Sequence, residues 1–423
     1  MEHSALHPPS ARPRRQWAVF VAMAAGFAFL VRIVLAMWYA NSFDTEWYLM
    51  WAADMQHGFW NCYDGHVRQL DYPPLYLFLL RPVGALLRQD WIANYMPTRM
   101  LLIKFWPVLG DTLIVPAVYL LFRRDSETAA ALAACAWAVN PSAIFNCSCW
   151  GQTDGIMTLL MLVTFAAFHR EKPRLGTFLF AVACLTKMQC LYFAPVILCW
   201  FLRRKQTAQL WQALGIGFGT VIAVFLPFMI ASRNPLAIFE VYFGGFGKYP
   251  YVNLNAFNLW GLGNFNWVLD STKLLGFLPY SVIGTLLMLG SFAAAAGYCL
   301  RAPRPNIWLQ AALLMQCLFV LSTRQHERYQ FIVMILLLGA YLTIGDGRLL
   351  KLFGGVTLVT FANQAALLSK NIHPDAPWYG SFRTAQVIGS AANLALFAWM
   401  IAVFLSIARQ GGKELVHESD QTE

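Results

Sequence analysis

The first side chains with chemical potential are two acids, Asp44 and Glu46, in "NSFDTEWYLMWAADMQHGFW", directly after a long apolar run. A carboxylate held within reach of a hydroxyl can deprotonate it as a general base. A first-turn acid is also what a helix dipole favours, and Ser42 is placed to cap such a helix. Asp44 therefore reads either as helix punctuation or as a base held at a lipid–water boundary. A second carboxylate, Asp71, stands before two prolines in "QLDYPPLYLFLL". It reads as a cap for a short helix that runs to about residue 87 and dips into the outer leaflet, with a role in the chemistry as second candidate.

Three further stretches carry groups suited to a phosphate or a sugar. "CLTKMQCLYFAPVI" sets Lys187 and Gln189 in an apolar region, where an ionisable side chain is a functional candidate by default. "STRQHERYQFIVMI" gathers Arg324, His326, Glu327 and Arg328 between two apolar runs, and a cationic cluster of that kind holds phosphate. "AVNPSAIFNCSCWGQTDGI" brings Asn140, Asn146, Gln152 and Asp154 together, and Asp154 reads as a helix cap or as a sugar or phosphate contact. The loop "FGKYPYVNLNAFNLWGLGNFNW", with Asn255, Asn258 and Trp260, offers rings and amides that suit a polyol face, as an ordinary ordered loop also would.

The elements that must position these groups are membrane helices. The 423 residues are 58% hydrophobic and 12% charged, with mean hydropathy +0.51. Soluble domains carry about 25% charged residues. Apolar runs long enough for a bilayer recur from end to end. Twelve segments are predicted, at about 17–40, 99–122, 127–147, 152–169, 174–187, 190–202, 209–231, 275–300, 306–323, 329–346, 350–369 and 384–408. Residues 174–202 read as a short hairpin with Lys187 near its apex, because Lys172 and Arg174 precede it and Arg203, Arg204 and Lys205 follow it. This placement puts 17 of the 31 Lys and Arg residues on the cytoplasmic side, with both termini. The fold class expected is an all-α polytopic bundle. It comprises a cytoplasmic tail at 1–16, a membrane domain at 17–408 with a large helical outer loop at 41–98, and a cytoplasmic tail at 409–423, read as disordered from Gly411 to Glu423.

The formal net charge of +10 is scattered in short clusters between apolar runs, which excludes a nucleic-acid surface. The nine cysteines lie mostly inside apolar runs and read as small core residues. Cys147 and Cys149 are too sparse for a zinc site, and neither a metal nor another cofactor is expected.

In this order, "LDYPPL", "NPSAIFNCSCWGQTDG", "KMQCLYFAP" and "QHERY" resemble the GT-C glycosyltransferases, and most of all the dolichyl-phosphate-glucose glucosyltransferases. The helix with Arg99, Lys104, Asp111 and "VPAVYLLF" is similar as well, and the likeness spans about 44–330. The resemblance implies a hexosyltransferase that takes glucose or mannose from a polyprenyl-phosphate donor. The acceptor would be a lipid-linked glycan, a polymer or a protein on the extracytoplasmic face. It implies Asp44 as general base and the motif His326, Glu327 and Arg328 facing the donor phosphate; the residues themselves add Lys187 on that phosphate and Asp71 as second candidate for the base. Glu46, Gln152, Asp154, Gln189, Asn255, Asn258, Trp260 and Glu327 would meet sugar or acceptor. "WGQTDG" departs from the eukaryotic members. Compact loops without a sorting signal favour a bacterial plasma membrane over endoplasmic reticulum. A transporter or lipid flippase is the alternative from another class. It fits Lys187, but neither the missing internal repeat nor the gathering of polar groups at one face.

Overall fold

The computed structural model of the protein describes residues 12–38, 43–244, 247–372 and 381–420. Ser42, read above as a cap, lies outside them. The chain is built from helices. In order these are α1 (Arg12–Ala36), α2 (Phe43–Asp54), α3 (Pro74–Leu86), α4 (Asp90–Ala93), α5 (Met96–Phe122) and α6 (Glu127–Ala138). There follow α7 (Pro141–Ile144), a π-helical turn at Phe145–Trp150, α8 (Asp154–His169), α9 (Pro173–Thr186) and α10 (Ala194–Arg203). Then come α11 (Thr207–Ala231), α12 (Ala237–Gly244), α13 (Leu259–Leu262), α14 (Tyr280–Arg301), α15 (Ile307–Leu321), α16 (Phe331–Ile344), α17 (Gly347–Ile372) and α18 (Ser381–Asp420). Two 3-10 turns, Met55–His57 and Met188–Phe193, and four two-residue strands complete the described elements: β1 (Asn253–Leu254), β2 (Lys273–Leu274), β3 (Leu278–Pro279) and β4 (Gln325–His326). The all-α expectation holds.

Among the described residues six helices are long and apolar enough to cross a membrane: α1, α5, α11, α14, α17 and α18. A seventh span results if α6 and the α7–π segment, bent by 45°, count as one. Of six shorter apolar helices, α8, α9, α10 (with the turn before it), α15 and α16 occupy the other predicted segments, and α3 lies in the predicted outer loop at 41–98. The protein is a multi-pass membrane protein. In α15 every residue from Ile307 to Val320 is buried, as is every residue of α16 from Phe331 to Ala340. A helix apolar on all sides belongs in the centre of a bundle. By contrast α11 exposes Phe218, Ile222 and Ile230, a face that lipid would cover.

Local sequence explains the breaks. The helix predicted at 127–147 stops at Ala138 because Asn140 precedes Pro141 and is driven out of the α region. Asn140 then caps α7, its side chain accepting from Ala143 N at 3.0 Å. The break predicted near Lys187 is present: α9 ends at Thr186 and Lys187 is extended. Deep between α1 and α5, Arg32 donates to Asp111 at 2.8 Å, both side chains fully buried, and to the carbonyl of Ala138 at 2.9 Å.

Three readings are corrected. Asp71 does not cap α3; Pro73 holds that position without a side-chain hydrogen bond, and Asp71 is drawn away to a lysine. Asp154 does not cap α8 either, since Thr153 occupies the cap position and Asp154 opens the first turn. The tail read as disordered is helical to Asp420, as a continuation of α18. Extending an existing helix needs no new nucleus, which is why polar residues such as these can follow an apolar span in helical form.

Candidate active site

The first loop packs as a satellite core. Tyr48, Trp51, Leu77 and Leu80 of α2 and α3 are buried against Met100, Ile103, Phe225 and Phe228 of α5 and α11. This anchors α2 with Asp44 in its first turn. A second device brings in the loop before α13. β1 pairs in parallel with β4, Asn253 opposite Gln325 and Leu254 opposite His326. Two segments some seventy residues apart thus form one wall.

Between these walls lies a cavity of about 390 Å³. Pockets of this size suit a small ligand or a headgroup. Asp44, Asp71, Lys187, Gln189, Asn255, His326, Glu327 and Arg328 all line it. Of the remaining candidates, Gln152 and Asp154 are buried behind its lining, and Glu46 is exposed outside it. Asn258 turns inward as the cap of α13, accepting from Trp260 N and Gly261 N, and Trp260 donates its indole to the Leu321 carbonyl at 3.0 Å. Neither Asn258 nor Trp260 reaches the cavity.

The carboxylates differ in their partners. Asp44, one-third exposed, accepts through Oδ2 from the Gln152 amide at 2.7 Å and the Trp150 indole at 3.3 Å. Its Oδ1 lies 3.7 Å from Arg328. Asp154 is tied to Lys187 at 2.5 Å, with both side chains almost fully buried, and accepts from Asn146 at 3.3 Å. Asp71 pairs with Lys248 at 2.7 Å. Burial raises the Asp71 carboxyl above the usual range, against the pull of Lys248. Glu327 is also deeply buried, but Arg328, with His326 beside it, outweighs the burial and holds it at about 2.

Arg328 is the hub. It donates to Glu327 at 2.6 Å and faces Asp44 at 3.7 Å and Asp154 at 3.8 Å. Burial opposes its charge, yet these three acids outweigh it and hold the guanidinium firmly protonated. Its Nε is buried and makes no hydrogen bond. Aromatic groups supply the rest of the lining: Trp47, Tyr72, Trp150, Tyr249 and Trp267 among them. The Tyr72 hydroxyl is itself bonded to Tyr48 at 2.7 Å and to Thr153 at 3.1 Å.

Lys248 and Lys370 line the cavity but escaped the sequence reading. For Lys248 a signal existed: it is the one cation in a loop otherwise rich in Gly, Asn and rings.

Residues 70–248 match the model of glycosyltransferase family 87. The match covers less than half of the chain and holds Asp71, Lys187 and Lys248, while Asp44 and the 325–330 segment lie outside it. It bears out the resemblance to membrane glycosyltransferases of the GT-C class without singling out the dolichyl-phosphate-glucose branch. No curated protein matches the chain. Among solved structures, that of ArnT from Cupriavidus metallidurans bound to undecaprenyl phosphate aligns over 92% of this chain and 77% of that one. The identity is 14% and the TM-score 0.45, a likeness too low to establish a shared fold.

Proposed function

We propose that the protein moves a hexose from a polyprenyl-phosphate donor to a hydroxyl acceptor on the extracytoplasmic face, with inversion at the anomeric carbon. The observation that carries this reading is one cavity that sets a partly exposed carboxylate, Asp44, against a buried guanidinium, Arg328. Of the carboxylates in the cluster, Asp44 has neutral groups, Gln152 and Trp150, as its hydrogen-bond donors. Asp154, Asp71 and Glu327 are each committed to a cation within 2.7 Å. Asp44 is therefore the carboxylate best placed to accept a proton.

In this mechanism the donor enters between Asp44 and Arg328 and replaces their contact. The acceptor oxygen bonds to the anomeric carbon as the bond from that carbon to the phosphate oxygen breaks, its electron pair leaving with the phosphate. The acceptor proton passes to Asp44, help typically worth about 10²–10⁴-fold. Charge growing on the leaving phosphate is met by Arg328, whose Nη2 faces Asp44, and by His326 and Lys187, which also line the cavity. Trp47, Trp150 and Tyr249 offer faces to sugar rings.

The test is purified protein in lipid nanodiscs, supplied with polyprenyl-phosphate glucose or mannose and total membrane-glycan acceptors. Asp44→Asn should lower the rate by about 10²–10⁴-fold, and Asp71→Asn should lower it less. Wild-type turnover in Asp44→Asn would remove the base. Donor binding unchanged in both Arg328→Ala and His326→Ala would remove the phosphate assignment.

A further inference from the structure

A buried lysine outside the cavity offers a role in the site. Lys104 sits in α5 with 1% of its surface exposed. Among the described residues it forms no ion pair; its ammonium donates to two main-chain carbonyls, Trp38 at 2.7 Å and Cys149 at 3.0 Å. The same helix neutralises its other deep charge, Asp111, with Arg32 at 2.8 Å. A buried charge satisfied by carbonyls alone is costly to keep within a membrane protein.

The two carbonyls explain what Lys104 holds. Trp38 lies just beyond α1, on the approach to Asp44. Cys149 opens the turn Trp150–Gly151–Gln152. Two side chains of that turn bond Asp44 Oδ2, and the Trp150 carbonyl accepts from Thr45 at 3.0 Å. Gly151 is left-handed, with φ +84°, and a Cβ there would stand 2.9 Å from Lys104 Cγ. The lysine stem thus packs directly against the turn, while its ammonium ties the turn to the end of α1.

We propose that Lys104 is a positioning residue for Asp44: it staples the segment before the base to the turn that orients the base's carboxylate. This rests on the reading of Asp44 as base. A misplacement of about 1 Å at a reacting group costs on the order of 10²-fold, so loss of the staple acts on turnover and leaves donor binding alone.

Lys104→Met keeps the stem and removes the donors. Expected are a ~10–100-fold fall in kcat, an unchanged KM for polyprenyl-phosphate sugar, and no further loss when the change is made in Asp44→Asn. Hydrogen exchange should quicken in peptides covering 43–50 and 149–153 while the rest of α5 stays protected. An equal fold-loss in the Asp44→Asn background, or a raised KM with kcat intact, would overturn the role. Unchanged exchange in both peptides would overturn the staple itself. That arm needs no activity, so it separates failure of this inference from failure of Asp44 as base. Should Lys104→Met not insert, Lys104→Leu, which also lacks the donors, carries the same measurements.

Discussion

Replacing Lys187 with methionine tests how the site is held together. Lys187 and Asp154 are 2.5 Å apart, with side-chain exposures of 3% and 1%. Removing one member of a buried pair leaves the other charge uncompensated, at about 3–5 kcal/mol. Here Asp154 would keep the Asn146 amide at 3.3 Å and the Arg328 Nε at 3.8 Å. That partial relief places the expected loss near the lower end, about 3 kcal/mol. Lys187→Met/Asp154→Leu removes both charges with apolar groups and should return to within roughly 1–2 kcal/mol of the parent, since such replacements are often neutral. The assay is equilibrium unfolding in mixed micelles for the parent, both single variants and the double. A coupling of about 2 kcal/mol or more is expected. Additive losses, or a Lys187→Met variant as stable as the parent, would refute the reasoning. Donor affinity in the double variant then decides a second matter. If it equals that of the parent, Lys187 supports the cavity wall without touching the phosphate.

Other outcomes follow from single features. Glu327 has its carboxyl lowered from 4.5 to about 2, so its ionised form adds stability that is full above about pH 4.5 and fades as pH falls toward 2. That amounts to about 3 kcal/mol at neutral pH, and the stability gap between the parent and Glu327→Gln should narrow between pH 5 and pH 3; a constant gap would count against the pairing with Arg328. Gly151→Ala should destabilise by more than Gly65→Ala. Both positions have positive φ, worth about 1–2 kcal/mol for a side chain, but only the Gly151 Cβ meets a neighbour, Lys104. Equal losses would mean that the turn yields freely.

The sequence carried the helices and much of the cavity lining because both are local signals. Apolar runs mark spans, and clustered polar residues between them mark the ends that gather at a site. Asp44, Lys187, His326 and Arg328 stood out on those grounds, and they do share one cavity. What lies between segments was not legible. Asp71 reads locally as a cap, yet it is claimed by Lys248, 177 positions away. Asp154 is claimed by Lys187 across 33 positions. Gln152 looks like a sugar contact, and it is buried with its amide on Asp44 at 2.7 Å. Asn258 and Trp260 belong to a loop of suitable composition, but a cap and an indole bond turn them inward. Two-residue strands such as β1 and β4 have no periodicity to detect, although their pairing brings Asn255 beside His326. The amide brace behind them is equally silent in sequence. Asn363 in α17 accepts from Phe257 N and donates to the Asn255 carbonyl, both at 2.8 Å, much as a neighbouring strand would.

The pairing of buried charges has an electrical consequence. A transmembrane voltage pulls on net charge with about 2.3 kcal/mol per elementary charge per 100 mV across the full field. Arg32 with Asp111, and Lys187 with Asp154, are neutral couples. A field exerts torque on each but little net force, so the bundle around the cavity keeps its shape when the membrane is energised or collapsed. Lys104, held by carbonyl dipoles alone, does carry a net charge for the field to act on. Its grip on the turn beside Asp44 is thus one point at which membrane voltage has a handle on the geometry of the base.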